Sequence, residues 1–599
     1  MANFDITHLD QARKQLRKER LKAYLIVTGD PHHSEEPASY FGCERRYFCP
    51  FSGDNAFVLL TRDGSYLWTD GRFFLSAEKE LEGSTFALMK MDTPGYPSLL
   101  EFLMEKSLYP LGTDFNLMSP RFLQDLAKAG RVKDTSFAHL IADRPSFPKG
   151  KIWRFDDPAY NDLTREEKLE QVRAAIKEAG ARAHLITTLD DIAYLTNLRG
   201  DDIPYTPVFY AYLYIDMEEA ALFVNKDKLD FEIPSLQVYG YEEIDAFLSA
   251  RADIPTLVDT DKANAHVVRL LSNVIAGPMP SRMMKAIKGS KEIENIRMSQ
   301  ITDGIALLKF IDFLDSHKQQ RLSEWAYAEA LAKFRREGEN FLGESFPTIA
   351  AAGPNAAMMH YLPSQEENSL VDPKETIALL VDSGGHYLCG TTDTTRTFPI
   401  GELTEEFKRD YTSTLASVIA LSQAVFIRGA SGRCLDMAAR EVMWRRHMDY
   451  KCGTGHGVGY VSVVHEAPNG FRYRAAMGKD DDAPILPGMV TTVEPGVYKQ
   501  GKYGIRIENN LLTVADKTTV DGEFFKFENL TFVPIDLSAV LFGELAPSDI
   551  DWINLYHHKV YRALAPHLSG HLLEVLKKKT AWRAGGSLAE AAIEERRPD

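Results

Sequence analysis

The chain has 599 residues, 44% hydrophobic and 26% charged, with 40 Gly and 29 Pro, the balance of an ordinary globular protein. That length exceeds one hydrophobic core and predicts several domains. A net charge of −16 argues against a general binder of nucleic acid or of anionic membranes.

In chain order, the opening MANFDITHLDQARKQLRKER lacks a hydrophobic signal core. Asp5, Asp10 and Glu19 interrupt its basic cluster, so residues 8–22 read as a solvated helix rather than a transit peptide. A strand over 24–28 follows, then strands over 55–61 and 65–69 joined by Arg62-Asp63-Gly64, then a helix from Gly71. This alternation predicts an α/β domain closing near residue 150, where RPSFPKGKIW carries two prolines and a glycine. The next segment repeats the plan. Leu169, Val172, Ala175, Ile176 and Ala179 recur at helical spacing, and AHLITT reads as a strand. DDIAYLTNL then reads as a helix, Arg199-Gly200-Asp201-Asp202 as a turn, and FYAYLYID and AALFV as strands. The shared order argues for a diverged duplication.

A third unit starts near Met284 with a helix whose apolar positions include Ile293, Ile296, Ile301, Ile305, Leu308 and Ile311. Toward the C-terminus, DIDWINLYHHKVYRAL and HLLEVLKKKTAW read as packing helices, and the tail after Ala584 as mobile. The five scattered cysteines fit reduced thiols in a cytoplasmic protein. No apolar run approaches the roughly 18 residues of a membrane span.

Every chemically suggestive cluster lies in the third unit. IALLVDSGGHYLCGTTDTTRT (377–397) reads as two antiparallel strands, one bearing Asp382 and the other Asp393. Two carboxylates in a buried sheet need a compensating charge, because like charges at close range do not both ionise unaided. Downstream, His456 lies in GTGHGVG, whose glycines allow close backbone approach to a ligand. Glu494 follows a β-branched run and precedes Pro495-Gly496, and Glu508 reads as mid-strand in YGIRIENNLL. Four carboxylates and one imidazole carry −4, which two divalent cations neutralise. Mostly oxygen ligation with one nitrogen suits manganese or cobalt, with zinc as an alternative. Two such ions bridge a hydroxide and polarise a carbonyl, with Glu494 as general base. The competing reading of Glu508 is an ion pair with Arg506, two residues away. A dinucleotide fingerprint, an HExxH zinc motif and a GxSxG elbow are excluded by Val458, Asn469 and Arg433.

At these residues the chain resembles the Xaa-Pro aminopeptidases (aminopeptidase P) of the pita-bread metallopeptidases, in their long three-domain cytosolic form. The family's ligand order falls on Asp382, Asp393 eleven residues on, His456, Glu494, and Glu508 fourteen residues on. WTDGRFFLSA (68–77), LDDIAYLTNLRGDD (189–202), SFPTIAAAGPNAAMMHY (345–361) and FENLTFVPID (527–536) also look like family segments. The resemblance implies an α/β (α+β) chain: two creatinase-like domains (1–152 and 153–286), a catalytic pita-bread domain (287–536) and a helical extension (537–599). It further implies that Asp393 and Glu508 bridge two metals, with Asp382 on one and His456 and Glu494 on the other. His360 and His465 become substrate contacts that stabilise the tetrahedral intermediate. Arg72, Cys452, Tyr498 and Arg506 join the substrate-binding set, as does the ligand His456. The implied reaction is release of the N-terminal residue from peptides with proline second, by a cytoplasmic homodimer with no nucleic-acid or membrane partner.

One departure stands out. Cys452 occupies the place, four residues before the ligand His456, where the family usually has His, and a thiol is the weaker hydrogen-bond donor. Two rival readings stand beside the aminopeptidase: a prolidase, which shares the ligand set but cleaves only dipeptides, and, fed by Cys452 alone, a non-catalytic pita-bread protein that binds peptides.

Overall fold

The computed structural model describes residues 4–53, 55–474 and 483–588. The chain divides into two compact units, Met1–Met283 and Met284–Asp599.

The first unit contains the same sheet twice. One copy comprises β1 (Ala23–Val27), β2 (Ala56–Thr61), β3 (Ser65–Thr69), β4 (Phe86–Lys90), β5 (Leu111–Thr113) and β6 (Val132–Asp134), in the order β4-β3-β2-β1-β5-β6. The other comprises β7 (Ala183–Ile186), β8 (Ala211–Asp216), β9 (Ala220–Val224), β10 (Gln237–Tyr239), β11 (Thr256–Val258) and β12 (Val274–Ala276), in the order β10-β9-β8-β7-β11-β12. Strand direction matches pair for pair: β1 runs antiparallel to β2 and parallel to β5, as β7 does to β8 and β11. The duplication inferred from element order is thus present in the topology. Two details differ from the sequence reading. The helix expected from Gly71 begins at Phe74. Arg199 and Gly200 lie not in a turn but in the short strand Leu198–Gly200, paired with Ile152–Arg154. Asp202 is buried, with a 2.5 Å ion pair to Lys228 and a hydrogen bond from the Tyr210 amide.

The second unit opens with the helix Ser290–His317, which buries Ile296, Leu308 and Ile311. A three-stranded sheet, β13 (Ile349–Ala352), β14 (Ala378–Ser383) and β17 (Thr394–Pro399), has β14 in the centre. The segment expected as one hairpin is interrupted between β14 and β17 by β15 (Gly385–Tyr387) and β16 (Gly390–Thr391). These form a side hairpin paired with the strand Phe341–Glu344, a long-range partner that local pattern does not reveal. A six-stranded sheet follows, made of β18 (Val425–Ile427), β19 (Gly455–Gly457), β20 (Glu466–Phe471), β21 (Val490–Val493), β24 (Asn509–Thr519) and β25 (Gly522–Asn529), in the order β18-β25-β24-β21-β19-β20. The ribbon β22 (Gly496–Lys499) and β23 (Tyr503–Arg506) is inserted between β21 and β24.

The main core of this unit joins Phe407, Tyr411 and Leu415 of the helix Glu405–Ser422 to Ile553, Tyr556 and Val560 of the helix Pro547–Leu564. The start of the tail is anchored, not loose: the Ser587 and Leu588 amides donate to the Asp551 carboxylate at 3.0 and 2.9 Å. The remainder of the tail lies outside the described residues.

Candidate metal centre

Asp382 lies on β14, opposite Thr395 of β17. The other three carboxylates are not inside strands. Asp393 sits in the two-residue gap between β16 and β17, Glu494 in that between β21 and β22, and Glu508 in that between β23 and β24. Each gap is a crossing from one sheet to another, so side chains from separate sheets converge there.

The backbone at these crossings is pinned. The Glu508 amide donates to the Thr395 carbonyl (3.0 Å), and the Glu508 carbonyl accepts from Arg396 Nη1 (2.5 Å). The Asp393 carbonyl accepts from Asn510 Nδ2 at 3.0 Å, and the Glu494 amide donates to the Thr454 carbonyl at 2.7 Å. The His456 amide donates to Thr492 Oγ1 at 3.0 Å, and Nδ1 lies 3.0 Å from the Gly457 carbonyl. A proton on Nδ1 satisfies that carbonyl and leaves the Nε2 lone pair for a metal. The glycines around His456 serve neighbouring strands rather than a ligand. A Cβ at Gly455 would meet the Thr492 carbonyl at 1.9 Å, and one at Gly457 the Glu466 carbonyl at 2.3 Å.

Asp393, His456 and Glu508 each offer a ligand atom, all within 4.8 Å of one another, the one such group among the described residues. His456 Nε2 is 3.3 Å from Asp393 and 3.6 Å from Glu494. Glu508 also accepts from Thr395 Oγ1 at 2.6 Å. Asp382 takes the Arg506 guanidinium at 2.5 Å on Oδ2, while its buried Oδ1 has no hydrogen-bond partner among the described residues. Arg506 is therefore paired with Asp382 and not with Glu508, and its other Nη donates to the Tyr498 hydroxyl at 2.8 Å. Burial raises the carboxyls of Asp382, Glu494 and Glu508, and for Glu508 the neighbouring Asp393 charge adds to the rise. Burial alone would lower His456, but its bond to Asp393 and the Glu494 charge outweigh that and raise it.

These residues fit a pair of divalent cations. A buried carboxylate oxygen orphaned among the described residues, four converging carboxylates and one imidazole whose Nε2 faces Asp393 and Glu494 form a hard, oxygen-rich donor set lacking its positive charge.

The His465 ring stands edge-on to His456, with centroids 4.2 Å apart. On the segment joining them, Val461 has φ +46°, a left-handed conformation that costs a β-branched residue roughly 1–3 kcal/mol. His360 is half-buried after the turn Gly353–Ala357. Its neighbour Tyr361 packs against the cluster of Ile349, Ala351 and Leu380, on the strands beside Asp382. Cys452 packs with Met443, Tyr450, Val497 and Tyr498. Burial, together with the Glu494 charge, pushes its thiol up to about 11. Arg72 belongs to the first unit, where its guanidinium holds both Asp70 carboxylate oxygens at 3.0 and 2.8 Å.

Sequence reasoning missed Thr395, Arg396 and Asn510, which hold the crossings. The one available signal was the Thr-rich TTDTTRT run, since hydroxyls buried beside a carboxylate act as its donors.

Comparison with known proteins gives a consistent result. The model of metallopeptidase family M24 matches residues 294–515, and that for its C-terminal region residues 523–582. Models of the creatinase/prolidase N-terminal domain match residues 8–143 and 143–292. The Laccaria bicolor protein named "Probable Xaa-Pro aminopeptidase P" is 34% identical over 95% of this chain and 92% of its own length. "Aminopeptidase P2" of Arabidopsis thaliana is 34% identical over 92% of this chain and 84% of its own. The crystal structure of a Caenorhabditis elegans X-prolyl aminopeptidase, described as a cytosolic enzyme with a di-nuclear active site, superposes with a TM-score of 0.91. It is 29% identical and covers 96% of this chain and 99% of its own. The chain belongs to metallopeptidase family M24 and groups with its aminopeptidase P members.

Proposed function

We propose that the chain is a dinuclear metallo-aminopeptidase that hydrolyses the bond between an N-terminal residue and a following proline. The observation that carries this reading is the convergence of Asp382, Asp393, His456, Glu494 and Glu508 at three sheet crossings and the adjacent strands, with Asp382 Oδ1 buried and without a hydrogen-bond partner among the described residues. Those five residues would hold the ions, Asp393 and Glu508 bridging them. When bound, the ions supply an activated hydroxide and Lewis-acid polarisation of the scissile carbonyl.

The chain's own groups do the rest. Glu494, which accepts from Thr492 Oγ1 at 3.4 Å, would take the proton of the attacking water and pass it to the departing proline nitrogen. His465, with its ring against His456, and His360 donate to the oxygen that gains charge as the carbonyl becomes tetrahedral. Arg506 holds Asp382 on one side and Tyr498 on the other, and Cys452 packs with Tyr498 in the same wall. Arg72 is read as a substrate contact from its TDGRFF setting. A proline in second position gives a tertiary amide with no N–H and restricted geometry, which a dedicated site can select. Manganese is the proposed working ion, and a cytoplasmic homodimer the proposed form.

Dialysis against a chelator should abolish activity, and Mn²⁺ should restore it with two ions bound per chain. Xaa-Pro-Pro peptides should release the first residue. Turnover confined to Xaa-Pro dipeptides would establish a prolidase instead, and a protein inactive and metal-free in excess Mn²⁺ would establish a binding module. Light scattering at micromolar concentration checks the dimer.

A further inference from the structure

The site's least obvious support lies on the helix Gly432–Trp444. Arg440 is about 1% exposed, yet its guanidinium makes four polar contacts on the segment leading into β19 and on its own helix. Nε donates to Asp436 Oδ2 at 2.6 Å. Nη1 donates to Asp449 Oδ1 at 2.7 Å and to the Tyr450 carbonyl at 3.0 Å. Nη2 donates to the Cys452 carbonyl at 2.7 Å. The Tyr450 and Tyr473 rings lie 4.0 and 4.5 Å from its Cζ. The other Asp436 oxygen accepts from Thr454 Oγ1, which also meets the Tyr450 hydroxyl. Thr454 is the residue whose carbonyl receives the Glu494 amide, and His456 is two residues further on.

We infer that Arg440, with Asp436 and Thr454, is a positioning relay that sets the His456–Glu494 side of the metal centre. A planar guanidinium fixes three successive acceptors of one segment (Asp449, Tyr450 and Cys452) in a geometry that an ammonium does not reproduce. The segment so fixed orients the strand bearing one ligand and the carbonyl that aligns the other. Among the described residues, neither Arg440, Asp436 nor Thr454 makes a hydrogen bond or ion pair with Asp382, which depends on Arg506 instead. The expected effect is therefore unequal between the two ions.

This inference rests on the ligand assignment above, so the experiment begins with the parent. Calorimetric Mn²⁺ titration of the full chain, with metal content measured after dialysis, should show two ions. His456→Ala supplies the reference for loss of one side. Arg440→Lys should weaken one ion about 10–100-fold, as the loss of a ligand's supporting partner typically does, and leave the other within about twofold. Thr454→Val, which keeps the shape and the backbone carbonyl, should weaken the same ion by a smaller factor. Circular dichroism of the metal-free proteins checks folding, and if Arg440→Lys fails to fold, Thr454→Val decides alone. Parent affinities at both ions in the folded variants, or equal weakening of both, would overturn the relay. A parent that binds fewer than two ions would overturn the ligand assignment instead.

Discussion

Cys452 differs from an imidazole in a way the structure makes specific. With its thiol pushed up to about 11, it stays neutral and protonated in the physiological range, a weak donor beside Tyr498. Cys452→His should change kcat/KM on tripeptides more than on dipeptides, because a donor in this wall reaches substrate atoms beyond the scissile bond. Equal ratios across peptide lengths would show that the position is only wall. The two aspartates separate by a different test. Asp393→Asn should reduce binding of both ions, since Asp393 is read as a bridge. Asp382→Asn should chiefly weaken one, and should also cost stability of order 1–3 kcal/mol by removing the anion from buried Arg506. Metal analysis of the two variants decides, and equal losses would refute the different roles.

The strands themselves were largely readable, because β2, β3, β8 and β9 are short apolar runs bounded by turn residues. The crossings were not. Asp393 and Glu508 read as strand residues because their neighbours alternate, and only long-range pairing shows where each ladder stops. Thr395, for instance, meets Glu508 across 113 positions of sequence. Arg396 was invisible for the same reason: an arginine in a strand reads as solvent-facing, whereas here it reaches the Glu508, Val533 and Pro534 carbonyls from the interior. The ligand types were readable earlier than their geometry, because four carboxylates and a histidine in one segment need a shared counter-charge. A second hidden anchor holds the turn before His360. Glu324, fully buried, accepts from the Ala352 amide at 2.6 Å, the Tyr361 hydroxyl at 2.7 Å, the Ser369 amide at 2.7 Å and Asn355 Nδ2 at 3.1 Å. Glu324→Gln keeps the volume but turns half of the acceptor into a donor. It should cost about 2–4 kcal/mol in urea denaturation and raise KM through the His360 segment. A variant of parental stability would show that the carboxylate is dispensable there.

The two units also differ from a simple scaffold-and-site division in how they respond to acid. Within the first unit, His32 joins the two copies: its ring nitrogens meet the Thr187 carbonyl at 2.6 Å and the Tyr241 hydroxyl at 2.7 Å. His184, on β7, meets the Leu257 carbonyl at 2.9 Å. Both are buried, and burial holds each at about 4, well under the ordinary value of 6.5. In the second unit His557 accepts from the Ile535 amide, and burial holds it at about 3. Below 6.5 the unfolded chain takes up protons that these folded rings refuse, so their contribution is complete above about pH 6.5. It is lost as pH falls toward 4, and for His557 toward 3. Each ring contributes at most about 1.4 kcal/mol per pH unit. Between pH 6.5 and 5 the two rings of the first unit therefore destabilise it by roughly 3–4 kcal/mol. Hydrogen exchange of the β7, β8 and β11 amides, corrected for intrinsic rate, reads this loss locally. His184→Gln retains a donor for the Leu257 carbonyl but does not titrate in this range. Its protection should fall between pH 7 and pH 5 by about 2 kcal/mol less than that of the parent. An undiminished pH dependence in this variant would mean that another group carries the acid sensitivity of the second copy.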